Sequence, residues 1–109
     1  SVAPGESGIE ARQTAARARQ MIGRLGNLSG DVSSSQTRQL LDRLEAVLTR
    51  LELMNADRPE SRDSFLRLVG QGGLEGQIDA ALAAPGQSET LRNWLFEAKI
   101  ILMGGPDAG

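Results

Sequence analysis

Apolar residues return every three to four positions along residues 34–54, where Leu40, Leu41, Leu44, Val47, Leu48, Leu51 and Met54 follow one another. At 100° per residue they fall on one stripe roughly 140° wide, the pattern of a helix that buries a single face. The stripe lasts barely two heptads, which favours a bundle core over a coiled-coil seam. Leu53 lies outside it and reads as a helix-end residue or an exposed contact. Upstream, Ser33 to Gln36 has the spacing of a capping box.

The same period predicts a first helix over 8–26. Ser7 stands at its N-cap with Glu10 three residues on, so that each side chain can satisfy the other's backbone N–H. Ala11, Thr14, Ala15, Ala18, Met21, Ile22, Leu25 and Leu28 share one arc, and its small members allow a neighbouring helix to come close. Arg12 with Arg19, and Arg17 with Arg24, form two rows seven residues apart on the remaining surface.

A turn at 55–58 leads into a third helix, with Asp57 as cap and Pro59 in the first turn, where its missing N–H costs nothing. Phe65, Leu66, Leu68 and Val69 are its expected apolar face. It stops at "GQGGLEG", residues 70–76. A short fourth helix over 74–84 carries Leu74, Ile78, Ala81 and Leu82 and ends at Pro85-Gly86.

The fifth helix opens near Ser88 and carries two apolar stripes. Leu91, Trp94, Leu95, Ala98, Ile101 and Leu102 span roughly 120°, a normal core face. Phe96, Ile100 and Met103 stand at i, i+4 and i+7 on nearly the opposite side, with Arg92 and Lys99 on one flank and Asn93 and Glu97 on the other. Two readings follow. Either this helix is enclosed on both sides within the bundle, or the second stripe is an apolar strip for a partner helix or groove. No alternating run of β-branched residues suggests a strand. The expected fold is therefore all-α, an antiparallel bundle of four main helices with the short one as a fifth. It forms a single domain over 8–103, and 1–7 and 104–109 read as linker-like ends of a module within a longer protein.

Composition narrows the function more than the fold. A chain of 109 residues supports one core. It contains no Cys and no His, which removes thiolate nucleophiles, disulfides, imidazole acid–base catalysis and most transition-metal sites. Asp57, Glu60 and Asp63 lack the alternating oxygen ligands of a calcium loop and read as acids stabilising a helix start. The glycine cluster has neither a preceding strand nor a Gly-Lys-Ser/Thr, so it reads as a turn and not a phosphate loop. No enzyme activity and no cofactor are expected.

Net charge is −2, which disfavours nucleic acid or an anionic membrane as partner of the whole domain. The charge is uneven: residues 11–30 carry four Arg and no acid. Arg12 and Arg19 are accordingly candidate contacts to an acidic protein surface, and no aromatics are interleaved to stack bases. Eleven of the twelve basic residues are Arg. A GC-rich coding genome gives this balance, as does selection against ubiquitin-acceptor lysines in a bacterial protein delivered into a eukaryotic host. The expected function is protein binding by an adaptor or targeting module of a larger bacterial, host-translocated protein, with Phe96, Ile100, Met103, Arg12 and Arg19 as contacts. Alternatives are membrane-surface localisation through the first helix and homo-oligomerisation. The expected location is the bacterial cytoplasm or the interior of a host cell.

Overall fold

The computed structural model describes residues 4–32, 34–54 and 59–103, with the side chains of 4–12, 29 and 59–61 outside the description. Five α-helices follow one another: α1 Pro4–Leu28, α2 Ser35–Leu53, α3 Pro59–Gln71, α4 Leu74–Ala83 and α5 Glu89–Met103, with one 3₁₀ turn, Ser29–Asp31, between the first two. The described residues contain no strand. The fold is an all-α bundle.

α1 is longer than its sequence suggests at both ends. It starts at Pro4 and encloses Ser7, so Ser7 is not the cap. A proline at the first helical position has the required φ already set and lacks only an N–H that would be unsatisfied there. At the other end the helix runs through Gly26 to Leu28, which is 1% exposed. Burying that leucine, worth about 1.5–3 kcal/mol, outweighs the roughly 1 kcal/mol that a helical glycine costs.

α2 begins one residue later than the capping-box spacing implies. Ser34 is the N-cap, and its hydroxyl accepts from the backbone N–H of Gln36 at 3.1 Å and of Thr37 at 3.4 Å. Ser33 lies outside the described residues, as does Asp57, the expected cap of α3. We expect Ser34→Ala to lower stability by about 0.5–2 kcal/mol through the loss of both bonds. A urea titration followed by circular dichroism measures this, and an unchanged midpoint would remove Ser34 from the capping role.

The α2 stripe forms the spine of the core: Leu40, Leu41, Leu44, Leu48 and Leu51 are buried, while Val47 and Met54 pack at its edge. Against it lie Ala18, Met21 and Leu28 of α1, Leu74, Ile78 and Ala81 of α4, and the whole first stripe of α5. α1 packs mainly on α2, and α4 mainly on α5. Both pairs are antiparallel hairpins, tied by Arg19 of α1 to Glu52 of α2 and by Lys99 of α5 to Asp79 of α4.

α3 deviates from expectation at one position. Val69 is buried and Phe65 and Leu66 pack against the core, but Leu68 is 66% exposed and belongs to the outer surface. Apolar residues at four of five consecutive positions, 65, 66, 68 and 69, exceed what one packed face accepts, and the narrower face centred on Val69 takes three of the four. The Arg50 guanidinium lies 5.7 Å from the Phe65 ring centre and links α2 to α3.

The glycine cluster narrows to a two-residue turn. α3 runs through Gly70 to Gln71, and Gly73, at φ +78°, provides the left-handed residue from which α4 starts. The α4–α5 turn uses Gly86 in the same way, at φ +80°. Gln87 then ties that turn to α2, donating to the Ala81 carbonyl at 3.2 Å and to the buried Thr37 hydroxyl at 3.4 Å.

Candidate interaction face

α5 lies between α1 and α4, and each of its surfaces has a distinct role. The core face is complete: Leu91, Trp94, Leu95, Ala98, Ile101 and Leu102 are all buried, as the periodicity predicts. The Trp94 indole reaches α1, where its Nε1–H donates to the Met21 carbonyl at 2.9 Å. Ser88 stands before the helix, accepts from the Leu91 N–H at 3.1 Å and donates to Asp31 at 3.0 Å, which fixes where α5 starts relative to the end of α1.

The flanks of α5 are charged and engaged. Glu97 accepts from Arg24 of α1. Lys99 donates to Asp79 of α4 at 2.7 Å. The hydrogen bond that Lys99 donates to Asp79 raises the Lys99 pKa above its ordinary value; solvent loss opposes this, and the charges of Asp79 and Glu75 reinforce it. On the α1 side, Arg17, Gln20, Arg24 and Glu97 border an open groove of about 530 Å³.

The second stripe is divided between surface and core. Phe96 is 49% exposed, and Ile100 is half-buried without joining the core cluster. Met103 packs at the edge of the core. Beside Phe96, Arg92 and Asn93 are exposed, and the Arg92 guanidinium has no partner among the described residues. An exposed aromatic continued by an aliphatic residue one turn on, next to an uncommitted cation, is a surface able to contact another protein.

The two arginine rows of α1 lie on different flanks. Arg19 turns toward α2, where its Nε donates to Glu52 at 2.8 Å. Arg17 and Arg24 border α5. The side chain of Arg12 lies outside the described residues. Of the residues singled out from sequence, the fold brings Phe96, Ile100 and Met103 together on α5. Arg19 is directed elsewhere, toward α2. The row beside α5 is that of Arg17 and Arg24, which periodicity places on a flank without showing which helix it would meet.

A second concavity, about 630 Å³, opens between α2 and α4. Its walls are amides and small residues, among them Gln36, Gln77, Ala80 and Ala84. Arg43 spans one end and donates to the Gly72 carbonyl at 3.0 Å and to Gln77. No acids converge there. No cluster of acids suited to a metal ion occurs among the described residues. Of the carboxylates considered from sequence, Asp57 and the Glu60 side chain lie outside the description, and Asp63 is exposed 3.6 Å from Arg62. No described helix is long and apolar enough to cross a membrane. No family model, curated protein or solved structure matches this chain.

Proposed function

We propose that this chain is a non-catalytic protein-binding module, acting as an adaptor or targeting domain of a larger protein, and that the outer face of α5 is its contact surface. One observation carries the reading: Phe96 is 49% exposed on a helix whose core stripe is already fully buried. About half of Phe96 is therefore left open to a partner. A large apolar side chain of this kind, centred among polar neighbours, is the usual anchor of a protein interface.

The ion pairs of Arg19 and Arg24 within the chain lend less support to a membrane-surface role for α1 than to internal bracing. The Arg-rich, Lys-poor composition fits a bacterial origin, and delivery into a host cell is the setting in which so few lysines would also be selected.

Phe96→Asp tests the reading. The variant is expected to keep its helical circular dichroism and to lose less than about 1 kcal/mol of stability, since a charge at a half-exposed surface position remains hydrated. It should at the same time lose the proteins that the wild-type chain retains from bacterial or host lysates. A variant that melts would show Phe96 to be a packing residue, and retained binding would place the contact elsewhere.

A further inference from the structure

From the charge pattern around this ridge we infer that the outer face of α5 binds a second copy of the chain, with the two α5 helices side by side and parallel about a two-fold axis along the ridge. The inference rests on the protein-binding reading above and names the partner. Its first support is the heptad position of the residues on the outer side of α5, of which Arg92, Asn93 and Phe96 are exposed and Glu97, Lys99, Ile100 and Met103 partly so. With Asn93 and Ile100 at a positions, Phe96 and Met103 fall at d, Arg92 and Lys99 at g, and Glu97 at e. In a parallel pair each g residue faces the e residue five positions on in the partner helix, so Arg92 of each copy meets Glu97 of the other, twice. Arg92 is an exposed cation that the described part of its own chain leaves unengaged, as are Arg17 and Arg67, but it alone of the three stands on α5 beside the ridge. A single Asn at an a position is the feature that fixes register and two-strandedness in parallel pairs, because it finds its like across the axis. Glu89, at the preceding d position, lies in the first turn and marks where the seam ends.

The second support is the order of charges across the ridge. From the α1 side to the α4 side the surface reads Arg17 and Arg24, then Glu97, then Phe96 and Ile100, then Arg92 and Lys99, then Asp79 and Glu75. In that order each strip has a counterpart of opposite sign on the other side of the ridge. A two-fold along the helix lays left over right, so every strip meets its opposite. A two-fold across the helix lays each strip on its own kind and is repelled. The surface is therefore self-complementary in one orientation only.

One 15-residue helix presents less than the ~800 Å² per partner of a standard interface, so a weak, reversible dimer is expected. Sedimentation equilibrium of the 109-residue chain over rising concentration should show reversible dimers. Phe96→Asp should abolish them. Arg92→Glu, which breaks no bond within the described chain, should weaken them and sharpen the loss at low salt. Because the chain has no Cys, single-cysteine variants report the orientation cleanly. Ile100→Cys should cross-link to itself several-fold faster than Ala46→Cys, an exposed control on α2, since a parallel two-fold brings equal positions within disulfide reach.

A chain that stays monomeric at millimolar concentration overturns the inference, as does Ile100→Cys cross-linking only with Phe96→Cys, the sign of an antiparallel pair. A monomer that still captures a foreign protein through Phe96 overturns the second copy and leaves the protein-binding reading standing. If Phe96→Asp fails to fold, Arg92→Glu and the cysteine pair still decide the question.

Discussion

Leu48→Ala and Leu44→Ala are each expected to lower the unfolding free energy by about 2–5 kcal/mol, because both side chains are 0% exposed at the centre of the α2 stripe. Truncation removes the transfer free energy of the lost methyl and methylene groups and leaves a cavity that α1, α4 and α5 cannot all close at once. A single domain of this size is stable by about 5–15 kcal/mol, so either change takes a large share and the double variant should populate the unfolded state at room temperature. Thermal and urea unfolding followed at 222 nm measure the effect. A loss below about 1 kcal/mol at both positions would mean that the stripe does not form the core.

Trp94 gives the second large effect and allows it to be divided. Trp94→Ala should cost about 3–5 kcal/mol or more, since the ring is only 2% exposed and is the largest side chain in the cluster. Trp94→Phe keeps most of the buried surface and removes the Nε1–H that bonds the Met21 carbonyl. That carbonyl lies in the interior of α1 and keeps its helical partner, so the hydrogen bond itself should account for about 1 kcal/mol. Chemical denaturation of the two variants separates packing from the polar contact. Equal losses in both would mean that the hydrogen bond, and not the ring volume, holds α5 against α1.

These two sites mark the limits of what the pattern of residues alone conveys. The buried faces of α2 and α5 are legible because a helix repeats every 3.6 residues whatever surrounds it, and an arc of leucines can be satisfied only by burial. Helix α4 was legible for a different reason: glycines precede it and Pro85-Gly86 follows it, leaving little freedom for its ends. The weaker readings were those with two possible outcomes of similar energy. Ser7 had good capping chemistry, but Pro4 offered an earlier start, and Leu68 had to compete with Phe65, Leu66 and Val69 for one narrow face.

Sequence by itself determined the class of the fold, the core faces of α2 and α5, the absence of thiol and imidazole chemistry, and the existence of a second apolar stripe on the last helix. Those properties depend on residue type and on spacings within one helix, which the chain carries locally. Tertiary structure alone decided what each remaining side chain meets: that Arg24 finds Glu97 and Trp94 finds Met21, each 73 residues away, that Arg19 turns to Glu52, and that Phe96 stays open while Met103 joins the core. Each of those outcomes depends on which helix lies beside which, and that is set by how five amphipathic faces pack into one close-packed interior, a balance no single segment contains.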